Sequence, residues 1–237
     1  MSDTFRFTID GVQITGTPGQ TILQAAEDAG IWIPRLCFLQ GLVPGGNCRV
    51  CSVKVQGRFQ AACAFPAGPD MVVENDTEEI LALRRQVIEM LFVEGNHFCM
   101  FCEKSGNCEL QAVGYRLGIA SPRYPYLFPV REVDASHPGV FIDRNRCIQC
   151  SRCIRASRDV DGKGVFGFVE RSGQTRIAVD ATTGLGGTSL DVADRAVTVC
   201  PVGAILTKRV GFAVPIGERL YDHQPIGADV ERRRAQD

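Results

Sequence analysis

The stretch His97-Phe-Cys99-Met-Phe-Cys102-Glu-Lys-Ser-Gly-Asn-Cys108 packs three cysteines and one histidine into twelve residues. Four soft or borderline ligands so close together describe a metal site. Cys99 and Cys102, at x2 spacing, reach one centre. Gly106 frees the chain to fold back and deliver Cys108, and His97, two positions before the first thiol, offers an imidazole as fourth ligand. Three thiolates and one imidazole suit zinc, or a 4Fe-4S cluster in which one cysteine is replaced. The stretch by itself does not choose between them.

The remaining cysteines narrow the choice. The chain has 11 cysteines, and an odd number in a sequence without an export signal argues against a disulfide framework. They fall into three groups: Cys37, Cys48, Cys51 and Cys63; then Cys99, Cys102 and Cys108; then Cys147, Cys150, Cys153 and the distant Cys200. The group short by one is the group with His97 beside it, so no thiol is left over.

The first group is spaced Cys37-x10-Cys48-x2-Cys51-x11-Cys63, with Gly41, Pro44, Gly45 and Gly46 in the first gap. Plant-type 2Fe-2S ferredoxins use Cys-x4-Cys-x2-Cys and a remote fourth cysteine. This chain keeps the x2 pair and the remote ligand and lengthens the first gap. The loop glycines let backbone amides approach inorganic sulfide. Zinc stays open here, since four thiolates also satisfy a tetrahedral ion. The third group opens Cys147-x2-Cys150-x2-Cys153 and ends at Cys200-Pro201. In two-cluster bacterial ferredoxins the run is Cys-x2-Cys-x2-Cys-x3-Cys-Pro, and its fourth cysteine serves the other cluster. Here Ser157 stands at the x3 position and no second triplet precedes Cys200. The second cluster is therefore absent, and Cys200 completes the set begun by Cys147.

The elements that position these ligands are legible in outline. Phe5 to Ile9 and Val12 to Ile14 alternate around Asp10-Gly11, a hairpin signal. Ile22 to Ala29 predicts a short amphipathic helix closed by Gly30, and Val50 to Val55, Phe59 to Ala62 and Met71 to Val73 complete a small mixed sheet. Asp76-Thr-Glu-Glu79 predicts a capping box for a helix to about Glu94, with Ile80, Leu83, Val87 and Leu91 inward and Glu78, Arg85 and Glu89 outward. A second helix is expected from Glu109 to Leu117, stopped at Gly118. A proline-rich connector, Ser121 to Pro129, follows, and then a strand at Val140 to Asp143 and a hairpin of Val165 to Val169 with Thr175 to Val179. Gly184 to Gly187 is a loop without the context of a phosphate cradle. From Pro215 onward no periodicity is visible, and a frayed tail is expected.

A net charge of −1 and 45% hydrophobic residues fit an ordinary globular chain. They provide no basic patch for nucleic acid. No apolar run is long enough to cross a bilayer, and the first residues lack a secretory or twin-arginine signal, so a cytoplasmic location is expected. No dinucleotide fingerprint, nucleophile elbow or paired catalytic carboxylates are visible.

The order of the three groups, the phrase Glu94-Gly-Asn-His-Phe-Cys99, the run Cys102 to Tyr115 and Cys200-Pro-Val-Gly-Ala-Ile205 together resemble one family. It is the small iron-sulfur subunit (gamma or U type) of the diaphorase half of cytoplasmic NAD-reducing nickel-iron hydrogenases. That family is similar in turn to the N-terminal part of the large iron-sulfur subunit of respiratory complex I. The latter usually places three residues between histidine and cysteine, where this chain has one. The resemblance implies an α+β chain with an N-terminal β-grasp 2Fe-2S ferredoxin domain (1–76) and a small helical 4Fe-4S domain with one histidine and three cysteine ligands (77–130). A bacterial-ferredoxin-like 4Fe-4S domain (131–211) and a C-terminal tail (212–237) follow. It implies Cys37, Cys48, Cys51 and Cys63 on the 2Fe-2S cluster, His97, Cys99, Cys102 and Cys108 on one 4Fe-4S cluster, and Cys147, Cys150, Cys153 and Cys200 on the other. It further implies electron transfer without a substrate site in this chain. FMN and NAD would sit on a diaphorase partner, and the nickel-iron site on hydrogenase small and large subunits. The alternatives are a wiring subunit of another NAD-linked complex, of formate dehydrogenase or complex I type, and, more distantly, a zinc-binding scaffold.

Overall fold

The computed structural model describes residues 4–234. Strands β1 (Phe5–Ile9) and β2 (Val12–Gly16) form the expected hairpin, with Ile9 opposite Val12. Asp10 and Gly11 both have positive φ, 48° and 76°, the pairing that a two-residue turn matching strand twist requires. Helix α1 (Ile22–Asp28) starts in a reciprocal capping box: Thr21 Oγ1 accepts from the Gln24 amide, and Gln24 Oε1 accepts from the Thr21 amide. Strands β3 (Ser52–Val55), β4 (Arg58–Ala61) and β5 (Val72–Glu74) complete a five-stranded sheet in the order β2-β1-β5-β3-β4, with β5 parallel to β1. One helix lies across this mixed sheet and buries Ile22, Leu23, Ala25 and Ala26 against Phe7, Ile9 and Val53. This is the β-grasp arrangement.

Helix α2 (Glu78–Val93) departs from expectation in two ways. Its N-cap is Thr77, whose hydroxyl accepts from the Ile80 amide, rather than Asp76; the capping oxygen must sit three residues before the bonded amide, and that amide is one position later than the acidic pattern suggested. Its most buried positions are Ile80, Arg84, Ile88, Glu89 and Val93, while Leu83, Val87 and Leu91 are half-buried. Two polar side chains pull the helix round. Arg84 donates to Ser52 O, Asn75 O and Asn75 Oδ1, which clamps the helix to the sheet, and Glu89 pairs with Arg123 at 3.0 Å. Helix α3 (Glu109–Arg116) ends at Leu117 and Gly118, as its glycine indicates.

The proline-rich connector is extended and anchored by Leu127 N to Val93 O and Asn96 Nδ2 to Pro129 O. Strands β6 (Val133–Asp134) and β7 (Val140–Asp143) lead into helix α4 (Arg152–Asp159). The hairpin β8 (Phe166–Val169) and β9 (Arg176–Val179), helix α5 (Arg195–Thr198) and strand β10 (Ile205–Thr207) follow; β10 pairs with β7. The Gly184 to Gly187 loop contains a single 3-10 turn at Leu185–Gly187.

The tail is not frayed over its described length. Helix α6 (Ala228–Arg234) returns to the Trp32 face of the first region and to the end of α3, where Glu231 pairs with Arg116, and Arg116 lies over the Trp32 ring at 4.9 Å. Gly30 and Gly227 are the points of closest approach. A Cβ on Gly30 would stand 2.6 Å from the Arg234 amide, and one on Gly227 would strike the Trp32 ring. Residues 235–237 lie outside the described part.

The regions are stitched together rather than strung out. One buried cluster runs from Phe7 and Ile22 through Ile88, Leu110 and Val113 to Ile148, Val202 and Ala204. Leu42, from the glycine-rich loop of the first region, is instead buried with Val140, Ile142 and Leu185 of the third.

Candidate metal centres

All four thiols of the first set are buried in the core under the sheet. Cys37 follows α1, Cys48 and Cys51 lie on the turn entering β3, and Cys63 follows β4. Arg49, between the paired cysteines, is held at φ 59°, so the turn doubles back on itself. The Cys37 amide donates to Cys48 Sγ at 3.4 Å. Cys37 is hydrogen-bonded to Cys48 and Cys63, and Cys51 to Cys63, so the four sulfurs share one space. Hydrogen bonds from Cys48 and Cys63 hold the Cys37 thiol far below its ordinary pKa, whereas Cys48 and Cys63 are driven well above theirs by the same bonds and by burial. Side by side, the four cannot all give up their protons unless a cationic centre balances them. A 2Fe-2S core is a donor match for such a set.

The second set is held by turns. Cys99 begins a 3-10 turn (Cys99–Phe101), Gly106 at φ 78° reverses the chain, and Cys108 is the N-cap residue of α3. Gln111 fixes the reversal by accepting from the Gly106 amide at 2.8 Å. Cys108 is pushed up to about 12 by burial, with the Cys102 and Cys99 sulfurs adding to it, so the three thiols act on one another. His97 lines a cavity of about 170 Å³ together with Cys99, Phe92, Gln111 and Gly114. Its imidazole packs edge-on to Phe92 at 5.7 Å, and its Nε2 is buried with no protein partner. Burial, helped by the Arg146 charge, lowers its pKa to about 4, so the ring is neutral, the state in which a nitrogen lone pair can bind metal. A neutral, buried imidazole with an unpartnered nitrogen has the chemistry of a metal ligand, and the shared cavity places it beside Cys99.

In the third set, Cys147 and Cys150 lie on the turn into α4, Cys153 stands in its first turn, and Cys200 follows α5. The Cys200 sulfur acts electrostatically on all three others, so the fold brings together thiols that the sequence separates widely. Gln149 and Ser151 have φ of 53° and 59°, which turns successive amides toward a common concavity, and the Gln149 amide donates to Cys147 Sγ at 3.4 Å. Burial pushes Cys147 up to about 11 and raises Cys150 and Cys153 as well. Ser157 is buried and its hydroxyl accepts from the Val165 amide at 2.9 Å, so the x3 position ties α4 to the residue just before β8. Cys48 and Cys147 line the same cleft of about 230 Å³, which places the first and third sets next to each other.

Among the described residues no three His, Cys, Asp or Glu groups converge as they do around a single ion. Ligands of a cluster need not converge, because the cluster occupies the space between them.

Spacing missed the cationic side chains between the sets. Arg146 donates to Cys102 Sγ at 3.6 Å and to Glu103 at 2.9 Å, while Gly203 lies under the same sulfur, where a Cβ would come within 2.7 Å of it. Arg155 donates to the carbonyls of Val43, Cys37 and Cys150. The available signal was the presence of arginines beside and between the cysteines of the third group, at positions 146, 152 and 155.

Residues 2–78 match a family described as a 2Fe-2S iron-sulfur cluster binding domain, and residues 84–123 match the NADH-ubiquinone oxidoreductase-G iron-sulfur binding region. Residues 137–206 match the ferredoxin-like domain of NADH-quinone oxidoreductase subunit 3. The gamma subunit of NAD-reducing hydrogenase HoxS from Cupriavidus necator is 43% identical over 224 residues, which covers 94% of this chain and 95% of that subunit. The mitochondrial 78 kDa subunit of NADH-ubiquinone oxidoreductase from Candida albicans is 35% identical over 209 residues, covering 86% of this chain but 29% of that protein. A crystal structure of an NAD+-reducing [NiFe]-hydrogenase in the H2-reduced state contains a chain that superposes with a TM-score of 0.93 at 44% identity, covering 97% of this chain and 98% of that one. No helix among the described residues is long and apolar enough to cross a membrane. With a near full-length relative and all three regions matched in order, the chain belongs to the family of iron-sulfur gamma subunits of NAD-reducing hydrogenases.

Proposed function

We propose that this chain is the electron-transfer subunit of a cytoplasmic NAD-reducing hydrogenase, an oxidoreductase whose net reaction exchanges electrons between hydrogen and NAD. Its partners are a flavin-bearing diaphorase subunit that handles NAD and the small and large hydrogenase subunits that carry the nickel-iron site. The observation that carries this reading is the sorting of eleven cysteines and one histidine into three complete sets inside one packed chain.

In this reading Cys37, Cys48, Cys51 and Cys63 hold a 2Fe-2S cluster. His97, Cys99, Cys102 and Cys108 hold a 4Fe-4S cluster, and Cys147, Cys150, Cys153 and Cys200 a second one. When bound, such clusters supply one-electron transfer at potentials set by ligand charge, hydrogen bonds and solvent access. The protein's part is to fix, insulate and bias them. The sheet core excludes water from the first set. The neutral His97 ring removes one negative charge from the second, and the amides of Cys37 and Gln149 point at sulfurs that carry negative charge once deprotonated. Arg146 places a positive charge on Cys102, between the second and third sets. Domain limits at 76, 130 and 211 follow the ligand sets.

Iron and sulfide analysis of the anaerobically reconstituted chain tests the reading. About ten irons per chain are expected, from one 2Fe-2S and two 4Fe-4S sites. Cys147→Ser and Cys200→Ser should each remove the same set of about four. Near-stoichiometric zinc with little sulfide would overturn it, and so would a Cys200→Ser protein that keeps the Cys147 cluster's spectrum.

A further inference from the structure

Arg152 is the largest fully buried side chain among the described residues, 2% exposed, and sits between Cys150 and Cys153. Its Nη2 donates to Phe38 O at 2.8 Å, one residue past Cys37, and to Glu109 Oε2 at 2.7 Å, one residue past Cys108. Its Nη1 donates to Glu109 Oε1 at 2.6 Å and to Val199 O at 3.5 Å, one residue before Cys200. A single guanidinium thus touches the chain beside a ligand from every set. The Glu109 amide donates in turn to Pro201 O at 2.8 Å, so the second and third sets are joined twice at this point.

One donor of the five is unused. Arg152 Nε is buried without any acceptor in the protein. After Glu109, the Cys150 and Cys200 sulfurs are the negative groups whose charge the guanidinium feels. A buried guanidinium with an orphaned N–H costs free energy unless some group supplies the missing acceptor.

We infer that Arg152 is a positioning residue that locks the three iron-sulfur sites into one fixed array and, through its free Nε, raises the reduction potential of the Cys147-Cys150-Cys153-Cys200 site. The inference rests on the proposed function, since it needs the three clusters to be present. The physical reason is direct: a reduced cluster carries one more negative charge, and a buried cation beside it in a low-dielectric surrounding favours that charge. Arginine is needed because only a planar fork can engage both oxygens of Glu109 and two backbone carbonyls from separate segments at once. Arg155 is the natural control, as it bonds carbonyls of the first and third regions but none of the second.

The test uses the full-length chain, reconstituted anaerobically, with iron and sulfide counts and redox titration followed by electron paramagnetic resonance. The third cluster is identified as the signal lost in Cys147→Ser. Arg152→Met should keep full iron and sulfide, move the third cluster's midpoint downward, and change the spin-spin interaction between clusters. Arg152→Lys should recover most of the midpoint, because the charge returns, but not the spin-spin interaction, because the fork does not. Arg155→Gln should leave the interaction involving the second cluster intact. An unmoved midpoint in a fully loaded Arg152→Met protein would overturn the inference, and so would a lysine variant with the methionine variant's midpoint. Should Arg152→Met fail to load, Glu109→Gln decides. It keeps the guanidinium and removes its counter-charge, so the third midpoint must rise, and an unmoved value refutes the inference. A wild-type chain without ten irons takes down the functional reading itself and is seen before any titration.

Discussion

Four buried thiols stand under a five-stranded sheet in the first region, bracketed by Ile9, Ile22, Leu23 and Val53. In the second region two of the three thiols are only half-buried, the local structure is a single 3-10 turn, and the flanking Met100 and Phe101 are 81% and 72% exposed. The first site is set into a core that its own four thiols help to form. The second has little core of its own and borrows its surroundings: the Asn96 amide donates to Asn145 O, the Glu109 amide to Pro201 O, and Arg146 and Gly203 close on Cys102. Fixing a residue costs about 1–2 kcal/mol of backbone entropy, and a twelve-residue loop without an apolar core must offset that cost through ligands and neighbours.

The most severe way to break the contrast is to remove the metal. Chelation of the full chain under anaerobic conditions should bring the opening free energy of residues 97–108 to near zero, while amides of β1, β2 and β3 stay protected. Hydrogen exchange read by mass spectrometry checks this, and equal loss in both regions would show that the two sites are held alike. Next in size is Ile9→Ala, which cuts a fully buried side chain from the sheet core and should cost about 2–5 kcal/mol in denaturant unfolding with no change in the second cluster's resonance signal. A spectral change there would mean that the core of the first region also holds the second. Thr21→Ala removes one half of the α1 capping box and should cost about 1 kcal/mol, again confined to the first region. Finally, His97→Cys should leave stability unchanged and keep the 4Fe-4S cluster, but lower its midpoint by on the order of 100 mV, because a thiolate replaces a neutral ring. A midpoint that stays put in that titration would remove His97 from the ligand set.

Much of this was legible because it is local. The Asp10-Gly11 hairpin, the helix stop at Gly118 and the x2 cysteine pairs are written in adjacent residues. The placement of Cys200 beside the Cys147 triplet was expected for a different reason: Ser157 and the missing second triplet mark the loss of the other cluster, which leaves Cys200 to the first. What stayed hidden depends on partners far along the chain. Glu89 points inward because Arg123, in the connector, meets it there. The tail is ordered because Trp32, Gly30 and Arg116 receive it. Arginines at 146 and 152 are residue types that composition assigns to solvent, and only the meeting of three ligand loops gives them acceptors in the interior.

The return of α6 to the Trp32 face has a consequence in time. Synthesis runs from the N-terminus at about 5–20 residues per second, and domains fold as units as they emerge. Nearly the whole chain is made between Trp32 and Gly227, so the face that the tail covers stays open for a delay on the order of ten to forty seconds. Over that interval the β-grasp strands can pair once Glu74 has emerged, and the cleft lined by Trp32, Phe38, Glu109 and Arg152 still lacks the wall that Leu220, Tyr221 and Pro225 will provide. The tail therefore acts as a late closure on a structure whose inner parts have been set in order first.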